Sequence, residues 1–147
     1  LVDATKKKIA FCLHAISELG LQNVTAVAGR AEELGQNSAF RERSDVVVCR
    51  AVSLLRSLLE LAVPFLVVGG HLLAQKALDR DSRELNESKT ALDVLKCRVQ
   101  EVSEVDFVDG SSKIDEERYR AIVNVIKKGR TPKEFPRLNG RPVSDPL

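Results

Sequence analysis

The stretch Asp45-Val46-Val47-Val48-Cys49-Arg50 decides the fold, because an unbroken apolar run there stops at an arginine. A short valine-rich run bounded by polar residues predicts a β-strand that is buried on both faces, as strands are in parallel sheets. Three further apolar runs also lead into charged residues. They are residues 1–2 before Asp3, residues 24–27 before Arg30-Ala31-Glu32-Glu33, and residues 71–74 before Lys76.

The carboxyl ends of these strands are where we expect the functional site. In an open α/β sheet, ligands bind just beyond the carboxyl ends of the strands. That geometry brings Asp3, Glu32, Arg50 and Lys76 to one rim of the predicted sheet.

Helical periodicity fills the intervals between the strands, and in the helix at residues 6–19 it predicts a buried stripe made of Ile9, Cys12, Leu13, Ile16 and Leu19. The short crossovers between the first four strands predict a parallel sheet, and the turn at residues 109–112 predicts that the last two strands form an antiparallel hairpin. The sequence thus predicts an α/β fold in which a mostly parallel sheet is closed by a C-terminal antiparallel hairpin. Strands are predicted at residues 1–2, 23–28, 45–49, 70–75, 99–108 and 119–126, and helices at residues 6–19, 30–34, 53–62 and 79–96.

Composition and the absence of common motifs exclude several classes of protein. The net charge of +2 is too small to imply a partner. Cys12, Cys49 and Cys97 lack metal-ligand spacing, and their odd number predicts buried, reduced thiols in a reducing compartment. His14 and His71 have no second ligand nearby, so no metal is expected. No apolar stretch is long enough to span a membrane, and no Walker loop or GxGxxG motif is present.

The C-terminal residues are basic and rich in proline, which predicts an extended tail rather than a helix. We therefore divide the chain into an α/β domain, residues 1–128, and a basic, proline-rich tail, residues 129–147. A basic tail can reach the phosphates of a nucleic acid, and it can equally be a solvated, disordered end. The basic residues in this tail and directly before it are Lys127, Lys128, Arg130, Lys133, Arg137 and Arg141.

Each charged residue at the rim also has a structural explanation. Asp3 can accept hydrogen bonds from both hydroxyls of a ribose, or it can cap the next helix. Glu32 can face an adenine, or it can be a first-turn acid favoured by the helix dipole. Arg50 follows an apolar run, so its guanidinium needs a partner, whereas Lys76 can extend its stem to water.

Several longer segments resemble one family, the bacterial and plastid RNA guanine-N7 methyltransferases that act on 16S ribosomal RNA, also called glucose-inhibited division protein B. The resemblance covers nearly the whole chain. Its most specific pieces are GRAEEL at residues 29–34, CRAVS at residues 49–53, and TPKEFPR at residues 131–137 followed by a glycine and a proline.

The resemblance implies an S-adenosylmethionine-dependent methyltransferase of the class I, Rossmann-like fold that methylates guanine N7 in the 530 loop of 16S ribosomal RNA. It places Asp3-Ala4-Thr5 at the ribose of the cofactor, Ala31-Glu32 at the adenine, and Arg50 also against the cofactor. Lys76 and Arg137 are the candidate RNA contacts. No catalytic residue is assigned, because N7 has a free lone pair and can attack the methyl group without a general base; positioning then dominates.

The chain also departs from the family pattern. Ala77 stands where a glycine is usual, and Asn124 lies where an apolar residue is usual. The family's first strand and glycine-rich loop would precede Leu1, so we expect a truncated chain that binds the cofactor weakly or not at all.

Two functions follow from this resemblance, an active methyltransferase and a non-catalytic module that binds or assembles the small ribosomal subunit. In either case we expect a monomer in the bacterial cytoplasm or the plastid stroma, with the small subunit or its RNA as partner and no membrane or metal.

Overall fold

The computed structural model describes residues 1–105, 118–138 and 140–147. The predicted turn at residues 109–112 and the end of the strand predicted to reach Val108 lie outside these residues. The elements are β1 (Val2–Asp3), α1 (Lys6–Glu18), β2 (Val27–Ala28), α2 (Ala31–Leu34), β3 (Ser44–Arg50), α3 (Leu55–Ala62) with a 3₁₀ turn at Val63–Phe65, β4 (Leu66–Asp79), α4 (Arg83–Glu87), α5 (Lys89–Val94), β5 (Cys97–Glu104), β6 (Arg118–Lys127) and α6 (Arg141–Ser144).

The strands form two sheets. β1 pairs in parallel with β2, and the second sheet has the order β3-β4-β6-β5. β3 and β4 are parallel, with Arg50 opposite Gln75, whereas β6 runs antiparallel to both β4 and β5. The parallel pairs and the antiparallel β5–β6 pair confirm the predicted pairing. In the described residues the first four strands form two parallel pairs in separate sheets, since β2 and β3 are not hydrogen-bonded neighbours.

The hydrophobic core lies between the four-stranded sheet and the helices packed on it. Its fully buried side chains alternate along β4 and β6 and line one side of α3, which is the pattern of a sheet face covered by a helix. Ile9 is the one buried apolar side chain that the structure describes before Leu55. The main members are Leu55, Leu59, Leu66, Leu72, Leu78, Leu95, Val123 and Val125.

Helix α1 is less buried than its periodicity predicted. The expected buried stripe included Leu13 and Leu19, but these side chains are 51% and 71% exposed. The physical reason is the size of the partner, because the β1–β2 sheet has two residues in each strand and cannot cover a long helix face. Cys12 and Cys49 are likewise half-buried rather than buried.

Several element boundaries also differ from prediction. The strand predicted at residues 23–28 is reduced to β2, because its one partner, β1, is equally short. β4 begins earlier than predicted, at Leu66, where it pairs with Ser44. The helix predicted at residues 79–96 divides into α4 and α5 around Ser88, whose hydroxyl donates to the Glu84 carbonyl at 2.7 Å.

The starts of two helices differ from prediction. Thr5, not Asp3, is the N-cap residue of α1, and α3 begins at Leu55, with Leu54 as its N-cap residue, rather than at residue 53. The first amide of α3, on Leu55, instead donates to the Glu84 carboxylate at 2.6 Å, across 29 residues of sequence.

The C-terminal residues pack against the core, which corrects the prediction of an extended tail. Phe135 is 8% exposed and belongs to the hydrophobic core, and α6 is a short helix. Pro142 does not prevent this helix because it lies in the first turn, where no intrahelical N–H is required. The division at residue 128 stays a prediction. No helix among the described residues has the length and apolar character that crossing a membrane requires.

Candidate functional site

Asp3 ends β1 with a partly exposed carboxylate. Its Oδ1 accepts a hydrogen bond from the Thr5 amide at 2.7 Å, and its Oδ2 lies 3.3 Å from Lys8 Nζ. The side chain is 35% exposed. The backbone hydrogen bond from Thr5 is the main cause that lowers the pKa of Asp3, so the carboxylate is charged at neutral pH. A fixed, ionised acceptor pair of this kind fits the two hydroxyls of a ribose.

The turn after β2 lies beside Asp3. The Gly29 amide donates to the Asp3 carbonyl at 3.1 Å, which continues the β1–β2 pairing into the turn. Ala31 then begins α2. The predicted ribose and adenine positions are therefore neighbours in the structure, as the ends of adjacent parallel strands must be.

Glu32 is buried and its carboxylate is bound by the chain itself. It is 4% exposed. Its Oε1 accepts from Arg30 Nε at 2.7 Å and from the Gly140 amide at 3.2 Å. Burial raises the pKa of Glu32, but the hydrogen bonds and the Arg30 charge outweigh this effect and leave the pKa below its usual value. Because the Glu32 carboxylate is already bound, the adenine contact predicted for Ala31-Glu32 would have to come from the α2 backbone.

Arg50 lines a cavity of about 400 Å³ at the carboxyl end of β3. Its side chain is exposed and has no partner among the described residues. The expected cost of an unpaired guanidinium is avoided by contact with water, and the group remains available to an anionic ligand. The remaining lining residues are Ala51, Ser53, Leu54, Gln75, Lys76, Ala77, Glu84, Arg118 and Arg120.

Lys76 lies in the same cavity but already has partners. Its Nζ is 2.6 Å from Glu84 Oε1 and 2.6 Å from the Ser53 carbonyl. Both side chains of this ion pair are mostly buried, at 12% and 14% exposure. Because Glu84 also holds the first amide of α3, Lys76 joins β4, α3 and α4. Its predicted contact with RNA stays a prediction.

Arg137 is also held within the chain. Its guanidinium donates to both oxygens of the Glu60 carboxylate, at 2.8–3.2 Å, and Glu60 is completely buried. Pairing with Glu60 raises the pKa of Arg137 above its usual value. The structure therefore explains this arginine by an intramolecular contact, and its predicted contact with RNA is untested.

The predicted cofactor residues other than Arg50, which are Asp3, Ala4, Thr5, Ala31 and Glu32, lie around the ends of β1 and β2. Arg50 and Lys76 share the cavity at the ends of β3 and β4, and Arg137 lies apart from both groups in its pair with Glu60. The lining of that cavity includes none of the residues around the ends of β1 and β2.

Sequence reasoning missed the partners that fix these groups. They are Arg30, Glu60, Glu84 and Gly140, together with two further cavity arginines, Arg118 and Arg120. Of these residues, Glu60 is the one that the sequence could have indicated, because an acidic residue on the apolar face of a helix needs a partner.

A family model supports the relationship that the site suggests. The model for rRNA small subunit methyltransferase G matches residues 1–112. This chain belongs to the rRNA small subunit methyltransferase G family. Members of this family named ribosomal RNA small subunit methyltransferase G, from the M3 and M49 serotypes of Streptococcus pyogenes, are 42% identical; the M3 comparison extends over 147 residues. The alignment covers 100% of this chain and 59% of the M3 relative.

Solved structures show the fold. TYW2 from M. jannaschii, determined in complex with AdoMet, aligns over 86% of this chain and 56% of its own, with a TM-score of 0.63 at 11% identity. Trm5b from Pyrococcus abyssi aligns over 87% and 37%, with a TM-score of 0.61 at 13% identity. The chain has the class I, Rossmann-like methyltransferase fold that its sequence predicted. Across the described residues, no group of three or more His, Cys, Asp and Glu side chains is placed to hold a metal ion.

Proposed function

We propose that this chain takes part in the S-adenosylmethionine-dependent methylation of small-subunit ribosomal RNA, at N7 of a guanine in the 530 loop. Family membership supports the reaction class. The observation that carries the proposal is the Asp3 carboxylate, which is ionised, partly exposed and fixed by the Thr5 amide at the carboxyl end of β1. A nucleoside cofactor requires such an acceptor at this place in the fold.

The residues of this chain that would hold the cofactor are Asp3, Ala4 and Thr5 at the ribose, Ala31 and Glu32 at the adenine, and Arg50. When bound, S-adenosylmethionine supplies an electrophilic methyl group on a positively charged sulfur. The chain has to orient that group and exclude water from it, because guanine N7 carries its own lone pair.

The cavity next to Arg50 suits an RNA substrate. Arg50 and Arg118 line it, and Glu84, the acid in its lining, is paired with Lys76. Cationic groups of this kind attract the phosphates of RNA. A guanine has to leave its stack to be methylated, and a pocket beside a basic surface can receive it. The proposed location is the bacterial cytoplasm or the plastid stroma.

Arg50→Ala tests the proposal. Loss of a charge-assisted hydrogen bond worth about 1.5–3 kcal/mol lowers kcat/KM by about 10- to 100-fold. The measurement is 7-methylguanosine in small-subunit ribosomal RNA, quantified by mass spectrometry after incubation with S-adenosylmethionine. Because Arg50 is exposed, the free energy of unfolding should change by less than about 0.5 kcal/mol.

Arg98→Ala is the matched control, since it removes an exposed arginine from the edge strand β5 and should leave methylation unchanged. Normal methylation by Arg50→Ala would remove Arg50 from the site. Absence of methylation by the unaltered chain would contradict the proposed activity.

The second candidate is a non-catalytic module that binds or assembles the small subunit. The observation that favours it is the separation of Asp3 and Arg50 into two sheets that share no strand. Calorimetric titration of the chain with S-adenosylhomocysteine distinguishes the two functions. Micromolar binding supports the enzyme, whereas no binding together with retained affinity for small-subunit RNA supports the module.

A further inference from the structure

We propose that the C-terminal segment, residues 131–138 and 140–145, positions the Glu32 carboxylate and with it the adenine side of the site, with Arg137 and Arg41 as positioning residues. This inference rests on the proposed function, because it assigns a role to the segment within that same site. It differs from the tail predicted from sequence, which was expected to be extended and to reach RNA.

The first anchor of the segment is the ion pair between Arg137 and Glu60. Besides the guanidinium contacts, the Arg137 amide donates to Glu60 Oε1 at 2.7 Å, so the carboxylate holds both backbone and side chain. Arg137 Nη2 also donates to the Asp145 carbonyl at 2.7 Å, which ties the middle of the segment to its C-terminal end. Glu60 has no exposed surface and belongs to α3, so this anchor is fixed to the hydrophobic core.

The second anchor is Arg41, whose guanidinium donates hydrogen bonds to backbone carbonyls of the segment. Nη1 donates to the Phe135 carbonyl at 2.7 Å and to the Gly35 carbonyl at 2.9 Å. Nη2 donates to the Thr131 and Pro132 carbonyls, both at 3.0 Å. Because Gly35 directly follows α2, one side chain fastens the segment to the helix that carries Glu32.

The segment meets α2 at both ends of that helix. At its C-terminal end, a Cβ on Gly35 would lie 3.0 Å from Pro136 Cγ, so the Gly35 backbone packs closely against the Pro136 ring. At its N-terminal end, the Gly140 amide reaches Glu32 Oε1 at 3.2 Å. Gly140 has φ +74°, a conformation that glycine adopts without strain.

These contacts fix Glu32, the second residue of α2. Its carboxylate receives hydrogen bonds from Arg30, which directly precedes α2, and from Gly140 on the segment. Arg30 in turn follows Gly29, whose amide donates to the Asp3 carbonyl. Release of the segment therefore removes one of the two groups that fix the adenine side relative to the ribose side.

The test follows Glu32 by NMR in the unaltered chain and in Arg137→Ala. The Gly140 amide should titrate with the Glu32 carboxyl because the two are hydrogen-bonded. In Arg137→Ala, that amide should lose its titration shift, and the Glu32 pKa should rise toward its ordinary value of 4.5. Arg137→Lys, which keeps one bond to Glu60, should restore part of both signals. Unchanged titration in Arg137→Ala would overturn the proposal.

Matched variants separate positioning from general loss of stability. Arg141→Ala removes an exposed charge from the same segment and should leave the Glu32 titration unchanged. Val125→Ala destabilises the core without touching the segment, so it should lower Tm and leave the titration unchanged. An equal shift in Val125→Ala would overturn the proposal. If Arg137→Ala fails to fold, Arg41→Ala, which frees the segment carbonyls and spares Glu60, carries the same expectation and the same contrary outcome.

Titration with S-adenosylhomocysteine distinguishes this inference from the proposed function. If the unaltered chain binds it, Arg137→Ala should weaken the affinity and Arg141→Ala should not; equal affinity in all three would overturn the positioning role. If the unaltered chain does not bind it, the proposed cofactor role fails, and the Glu32 titration still decides whether the segment positions that carboxylate.

Discussion

Lys127 shows how a charge is kept inside this core. Its side chain has no exposed surface, and its Nζ donates to Glu42 at 2.9 Å, to the Leu66 carbonyl at 2.7 Å and to the Val63 carbonyl at 3.3 Å. Burial lowers the pKa of Lys127, and the hydrogen bond and charge of Glu42 oppose that effect. With all three ammonium protons donated, the group is satisfied although it is buried.

Lys127→Ala should therefore destabilise the fold strongly. Removal of one partner of a buried ion pair costs about 3–5 kcal/mol. Here it would also leave the buried Val63 and Leu66 carbonyls without their donor, and Glu42 would keep the exposed Arg130 as a cation. Chemical denaturation followed by circular dichroism measures the change. Lys128→Ala is the control, since this neighbour is exposed and should change stability by less than about 0.5 kcal/mol. Equal effects of the two variants would show that the buried pair contributes nothing.

Asn124 was a departure from the apolar pattern of its strand, and the structure explains it. Its Oδ1 lies 2.8 Å from His71 Nδ1, on the adjacent strand β4. Val123 and Val125 on either side are buried, so Asn124 points to the opposite face of β6. The Asn124 amide therefore lies on the half-buried face of the sheet, paired with His71, and does not disturb the hydrophobic core.

At the level of elements, the C-terminal segment should detach in acid before the sheet unfolds. Burial raises the pKa of Glu42 and of Glu32, but hydrogen bonds and nearby cations outweigh it and leave both below the ordinary value of 4.5. Carboxyls with lowered pKa values stabilise the folded chain above their unfolded pKa, and this stability is lost as pH falls through the folded values. Loss of charge on Glu42 and Glu32 removes bonds to Thr131 and Gly140.

Hydrogen exchange measured at neutral pH and below pH 4.5 checks this, after correction for the intrinsic exchange rate. Protection of residues 131–138 should fall relative to that of β6. A parallel loss of protection in the segment and in β6 would show that the carboxyls act on the whole fold instead.

The strands and helices with local signals were predictable, and those that depend on distant residues were not. α1 and β3 lie within a residue of their predicted bounds because apolar spacing and a glycine or arginine mark them locally. Glu84 of α4 accepts a hydrogen bond from the first amide of α3, which lies 29 residues earlier in the sequence. β4 begins at Leu66 because Ser44 pairs with it there. Such contacts leave no periodic pattern in the sequence.

In the candidate site, too, the positions set by local sequence were predictable, whereas the contacts between distant residues were not. The rule that ligands bind beyond strand ends placed Asp3 beside the turn after β2, and Arg50 beside Lys76. It could not show that Glu32 is covered, because its partner Gly140 is 108 residues away in sequence. Nor could it show that Arg137 is paired, because a basic, proline-rich stretch has the composition of a solvated tail.

For the molecule as a whole, stability should be unevenly distributed. The hydrophobic core begins at Leu55, and residues 1–30 contribute Ile9 as their one buried apolar side chain. Regions with few buried apolar contacts open locally at lower free energy than the core. The N-terminal elements β1, α1 and β2 should therefore exchange amide hydrogens faster than β4 and β6.

Hydrogen exchange followed by mass spectrometry resolves these regions by peptide. Peptides from residues 2–28 should exchange well before peptides from β4, in the same sample. Uniform protection across the chain would contradict this order. A ligand that contacts Asp3 should slow exchange in the N-terminal peptides first, because opening of that region would require its release.

The outer edge of β3 has a practical consequence for the production of this chain. β4 is the one strand that pairs with β3 in the described residues, and Val46 and Val48 are 51% and 75% exposed. Asp45 and Arg50 bracket these valines, and flanking charges of this kind act as gatekeepers against inclusion bodies. Arg50→Ala removes one gatekeeper along with a candidate ligand contact. Methylation by that variant is therefore meaningful only when it is compared at equal concentrations of dispersed, non-precipitated polypeptide.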